Sequence, residues 1–131
     1  MGALMRATDW RKTPFGAVEH WPQSLRTAVS IMLESQFAMV VAWGPDYRFF
    51  YNDRYQPILG SKHPEALGKP GAEIFPEVWD VVGPEFDRVW RGEAFAIDDW
   101  LLPLARQGYL ESCWFTLSYS PIRDESGGVG G

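Results

Sequence analysis

Seven helix-breaking residues, Pro64, Gly68, Pro70, Gly71, Pro76, Gly83 and Pro84, punctuate the stretch between Ser61 and Gly92. A long helix is therefore excluded there, and several short ones are expected. Pro64 to Leu67 reads as one turn closed by Gly68, and Pro76 to Val82 and Pro84 to Arg91 as two separate helices. Together these two present Val78, Trp79, Val82, Phe86, Val89 and Trp90 on a shared side. Such a side needs an apolar surface to cover. The flanking segments supply one. Phe37 to Trp43 is short, β-branched and aromatic, apolar on both alternating faces, and ends at Gly44-Pro45-Asp46, so it predicts a strand covered on both sides. Tyr47 to Tyr51 follows across a three-residue connection, which gives a hairpin. Ala94 to Leu104 and Leu110 to Ile122, joined through Arg106, Gln107 and Gly108, give a second. In its last strand Cys113, Phe115, Leu117 and Tyr119 alternate with Ser112, Thr116, Ser118 and Ser120, the period of a strand with one buried face. The fold class is α+β, an antiparallel sheet with short helices on one face.

Around this frame, Pro22 and the apolar series Leu25, Ala28, Val29 and Met32 predict a helix over residues 22–35. Lying across the outer sheet face, that helix would cover Trp114, the one large apolar residue on the polar side of its strand, and the second apolar face of Phe37 to Trp43. Met1 to Glu19 has no periodic signal and reads as a short helix or arm followed by an irregular turn. Asn52-Asp53 ends the first hairpin and offers oxygens to cap a short helix over residues 53–59, closed by Gly60 and kept short by Pro57. Asp98 and Asp99 are adjacent on a strand, point to opposite faces, and so read as an edge or bulge device.

At 131 residues the chain has room for one core, and its seven Trp, five Tyr and eight Phe exclude a disordered segment. The net charge of −5 opposes nucleic-acid binding. Phe37 to Trp43 is the longest apolar run, far short of the roughly 20 residues that span a bilayer. The N-terminus lacks the basic start and apolar block of an export signal, so a cytoplasmic setting is expected. One cysteine forms no disulfide framework.

The order hairpin, short helices, hairpin, with FFYNDRYQPILG at 49–60, HPEALGKP at 63–70 and YSPIRDESG at 119–127, resembles the PAS sensor domain. The resemblance covers about residues 36–131. The segment HWPQSLRTAVSIML at 20–33 looks like the helical extension that precedes PAS domains in bacterial sensor histidine kinases. The resemblance implies residues 1–35 as extension and 36–131 as PAS domain, in a two-component kinase whose catalytic domain follows in the same chain. It also implies a five-stranded sheet in spatial order 2-1-5-4-3, whose central fifth strand should follow the turn at Asp124–Gly128 and lies mostly beyond Gly131. Leaving that position open exposes strand edges, so the chain is expected to continue with a strand, to dimerise through its N-terminal helix or its open sheet edges, or to change its fold.

PAS domains sense by enclosing a ligand between sheet and helices. The inward candidates here are Met39, Val41, Tyr51, Asn52, Tyr55, Ile58, Phe75, Phe86, Trp90, Phe95, Ile97, Cys113, Phe115 and Leu117. The same residues would serve a filled core, in which case the domain is a ligand-free interaction module. Asn52 is either a simple cap or a link between strand and helices. Tyr55 and Trp90 offer polar tips in an apolar pocket. Haem is disfavoured because His20 and His63 both sit beside turn signals, and flavin photochemistry because no cysteine falls in the matching helical region. A single cysteine and two distant histidines support no metal site. Catalysis is not expected: Gly68-Lys69 leads into Pro70 where a phosphate loop needs Ser or Thr, and no nucleophile, acid and base converge by spacing.

Overall fold

The computed structural model describes residues 1–131. After a short helix α1 (Gly2–Ala7) and two single 3-10 turns, α2 runs from Gln23 to Glu34 with Leu25, Val29 and Met32 buried. Strands β1 (Val40–Trp43) and β2 (Arg48–Tyr51) form the first antiparallel hairpin, Val40 opposite Tyr51 and Ala42 opposite Phe49. A 3-10 turn at Asp53–Tyr55 leads into α3 (Gln56–Leu59), and α4 (Gly71–Ile74) and α5 (Trp79–Trp90) follow. Strands β3 (Phe95–Leu104) and β4 (Glu111–Tyr119) make the second hairpin. The four strands are two separate two-stranded sheets.

The first strand is shorter than expected, because Phe37 to Met39 lie outside it and Phe37 is 83% exposed. Its connection to β2 is one residue longer than expected, with Tyr47 in the left-handed region at φ 55° and its hydroxyl donating to Asp87 at 2.5 Å. The two helices expected across Pro84 are instead one continuous α5. Proline normally clashes with the Cβ of the residue before it in a helix. Here that residue is Gly83, which has none and is packed so closely that a Cβ would meet the Trp79 indole at 2.8 Å.

The β1–β2 hairpin is packed on both faces. On the inner face Phe49 and Tyr51 join Leu59, Ile74, Val78, Leu102 and Leu104, with Val40 and Ala42 against them. On the outer face Val41 and Phe50 join Leu25, Val29 and Met32 of α2 and the indoles of Trp10 and Trp21. Those indoles are buried without loss, since Trp10 Nε1–H donates to the Met5 carbonyl and Trp21 Nε1–H to that of Gly16, both at 2.9 Å. The arm without periodicity is thus held by aromatic contacts. α2 covers the first hairpin alone, and Trp114 stays 68% exposed opposite Leu101, which is 44% exposed, contrary to the expected cover.

Beyond β4 the chain turns at Asp124–Gly127 and returns antiparallel, Arg123 bridging Val129. The Gly130 carbonyl accepts the Gly44 N–H at 2.9 Å, while Gly131 and Ile122 bond at 2.8 Å, so this segment sits between β1 and the chain leaving β4. Only glycine fits there: a Cβ on Gly130 would lie 2.6 Å from the Trp43 ring, and one on Gly131 2.4 Å from the Ala42 carbonyl.

The same turn caps α2, which follows Pro22 and has no capping side chain of its own. The Glu125 carboxylate accepts the Ser24 hydroxyl at 2.6 Å and its N–H at 3.0 Å, and these bonds hold the Glu125 carboxyl below its ordinary range. A depressed folded-state value means stabilisation that is present above the unfolded-state pKa and lost as pH falls through the folded one. Glu125→Gln is therefore expected to flatten the decline in melting temperature below about pH 4.3. Equal acid sensitivity in parent and variant would show that this carboxylate is not the titrating group.

Candidate ligand-binding cavity

Side-chain size on β1 creates space. Its larger outer-face residues, Val41 and Trp43, turn toward α2, and the small Ala42, with Ala38 just before the strand, faces the other hairpin. From α5 come Val78, Val82 and Phe86 at helical spacing, which close the opposite wall. The bulge at Asp98-Asp99 decides which residues of β3 face inward. Ile97 pairs with Leu117 and Trp100 with Phe115, so two residues of β3 oppose Thr116, and Asp99 sits at φ 51° with its N–H donating to the Thr116 hydroxyl. Before the bulge the odd positions 95 and 97 are partly buried. After it the even positions 100, 102 and 104 are.

The result is an apolar cavity of about 190 Å³ among Phe49, Phe75, Val82, Leu102, Phe115 and their neighbours. It adjoins a larger slot of about 390 Å³ between the facing edges of β1 and β4, bounded at one end by Gly131 and flanked by Val89 and Trp90. The two spaces share Ala38, Phe49, Tyr55, Phe86, Leu117 and Tyr119. A wider depression between α1 and α2, about 540 Å³, is open to solvent and rimmed by Arg6, Asp9, Arg11, Glu19 and Arg26.

Of the residues expected to face a ligand, Tyr55, Ile58, Phe75, Phe86, Phe115 and Leu117 line the inner cavity, and Met39 and Trp90 line the slot. The others are placed differently. Val41 borders the slot but packs in the outer core under α2, because both faces of its strand are apolar and the bulkier set meets the aromatic arm. Tyr51 is fully buried in the inner core, its hydroxyl 2.8 Å from His63 Nδ1, and burial, with the charge of Glu65, pushes its phenol up to about 12. Phe95 stacks on Tyr119 and under Arg88. Ile97 precedes the bulge, and Cys113 packs at the rim of the inner core with its thiol 3.7 Å from the Glu111 carbonyl. None of these four lines the inner cavity.

Ala38, Phe49, Val78, Val82, Leu102, Leu104, Thr116 and Tyr119 are cavity residues absent from the expected set. Leu102 and Leu104 were legible in the Asp-Asp bulge, which reverses parity along β3. Tyr119 continues the alternation of β4.

Asn52 serves as both cap and link. Its Oδ1 accepts the N–H groups of Tyr55 at 3.2 Å and Met39 at 3.1 Å, and its Nδ2 donates to the carbonyls of Met32 at 3.0 Å and Phe37 at 2.8 Å. One buried amide, 2% exposed, thus ties the end of α2, the entry to β1 and the helical turn after β2.

Around the cavity, burial raises the phenols of Tyr55 and Tyr119 well above their ordinary value; the proximity of Tyr119 adds to the shift of Tyr55, and Glu85 to that of Tyr119. Both are neutral donors at any physiological pH. His20 is exposed in a 3-10 turn and His63 is engaged by Tyr51, so neither imidazole borders the cavity. No three His, Cys, Asp or Glu side chains come together in the way a metal ion requires. No helix is long and apolar enough to cross a membrane. A family model described as the PAS fold matches residues 33–131. No curated protein matches the chain.

Proposed function

Since the chain belongs to the PAS family, whose members are sensory and signalling modules, we propose that it is the cytoplasmic input module of a bacterial two-component sensor histidine kinase, taking a small ligand between its hairpins and α5. Residues 1–35 are its helical extension, and residues 36–131 are the PAS domain. The observation that carries this reading is the apolar cavity of about 190 Å³, walled by both hairpins and by α5. A ligand there touches β2, β3, β4 and α5. It can bias the fold only by preferring one arrangement, each 1.4 kcal/mol of preference being worth about tenfold in the ratio of states. Asn52 offers the route outward, since the same amide holds the end of α2 and the turn before α3. A downstream kinase in the same chain would read the shift through a homodimer.

Native mass spectrometry of freshly purified protein tests this. A stoichiometric small-molecule adduct is expected, lost in Val82→Phe, which fills the cavity. The second reading, a ligand-free dimerisation module, draws on the outward pair Leu101 and Trp114, with Ile31 and Phe37 also exposed. It predicts no adduct in either protein, and a dimer that Trp114→Ser converts to monomer.

A further inference from the structure

We propose that the ligand is a neutral, single-ring aromatic molecule carrying one hydrogen-bond acceptor, held by the hydroxyls of Tyr55 and Tyr119 with its ring directed inward among Phe49, Phe75 and Phe115. This inference rests on the cavity being the ligand site and adds the chemistry of what enters it.

Three observations carry the proposal. The first is size. An apolar protein cavity of roughly 150 Å³ accommodates benzene, so about 190 Å³ takes one ring with a small substituent and excludes fused ring systems. The second is the lining. Apart from Thr116 and the two phenols, every side chain facing the inner space is apolar, and no Lys, Arg, His, Asp or Glu borders it. A carboxylate or ammonium entering would lose its hydration without a countercharge, which opposes its entry. Four phenylalanines on the walls favour edge and offset contacts with an aromatic ring over an aliphatic chain.

The third observation fixes orientation. Tyr55 and Tyr119 line both the inner cavity and the slot, so they stand at the junction of the two. Tyr119 adds to the opposition that burial sets against ionisation of Tyr55, and neither hydroxyl bonds to a protein group. The other tyrosines nearby are committed, Tyr47 to Asp87 and Tyr51 to His63. Two neutral donors at the mouth of an apolar space hold a carbonyl, ether or hydroxyl oxygen. They reward a ligand that has one and leave a hydrocarbon of the same shape without that gain.

Three probes of similar size separate the elements of the proposal: acetophenone, ethylbenzene and benzoate, each titrated into the protein and followed by chemical shifts of the Val82, Leu102 and Leu117 methyls. Acetophenone is expected to bind at least tenfold more tightly than ethylbenzene, and benzoate not at all at neutral pH. In the double variant Tyr55→Phe, Tyr119→Phe the preference for acetophenone should fall to within about twofold, while ethylbenzene still binds, which shows that the cavity is intact. Equal binding of acetophenone and ethylbenzene to the parent protein, or binding of benzoate, would overturn the acceptor chemistry and leave the cavity reading standing. Failure of all three probes to move those methyls would overturn both.

Discussion

Replacing Asn52 with alanine is expected to destabilise the fold by about 3 kcal/mol, among the larger effects of a single substitution. The reason is the number of partners left behind. Two N–H groups and two carbonyls, from Met32, Phe37, Met39 and Tyr55, converge on one amide that is 2% exposed, and the methyl that replaces it satisfies none. A buried polar group stripped of its partner costs about 1–3 kcal/mol, reduced where water can enter. In a domain of this size the midpoint of thermal unfolding should fall by roughly 10 °C. Asn52→Asp sharpens the test. Its carboxylate can still accept from Met39 and Tyr55 but is set against the carbonyls of Met32 and Phe37, so it should give no rescue. A loss below about 1 kcal/mol in either variant would mean that the amide is a local cap only.

The second large effect is at Phe50, which is fully buried with its ring centroid 5.3 Å from Trp10, 4.8 Å from Phe15 and 5.3 Å from Trp21. Phe50→Ala removes the ring on which the N-terminal arm assembles, and the transfer and cavity terms together come to about 3–5 kcal/mol. Its consequence is local as well as global. Limited proteolysis should cut within residues 1–20 of the variant well before the remainder of the chain, because the arm is held by this cluster and has little helical stability of its own. Uniform cleavage along the chain would place the arm within the same cooperative unit as the inner core.

The architecture was readable wherever residue spacing has a single physical meaning. The strict alternation along Glu111–Tyr119 made one face of β4 inward, the Asn-Asp pair placed a capped helical turn after the first hairpin, and adjacent aspartates marked the bulge in β3. Other features were hidden for identifiable reasons. Phe37 to Trp43 is apolar on both faces, so alternation cannot say which side meets the cavity, and of these residues Ala38 lines the inner cavity while Val41 packs in the outer core. Gly83-Pro84 carries two breaking residues, but the glycine removes one of proline's clashes, that with the preceding Cβ, and the helix continues. The arm has no period because single turns and indole contacts shape it. The terminal glycines carry no pattern of their own, although two of them are required by contact with Trp43 and Ala42. Apart from Gly83-Pro84, a contact distant in sequence decided the outcome.

The account depends on the space between the hairpins and α5 being apolar and open to a guest, whatever that guest is. Xenon occupies dry apolar cavities without making hydrogen bonds, so methyl chemical shifts under rising xenon pressure probe that space alone. Saturable shifts are predicted for Val78, Val82, Leu102, Leu104 and Leu117, with Leu25 and Val29 of the outer core unmoved. No response at the first set, or the same weak linear response at both, would contradict a cavity and leave a filled core in its place.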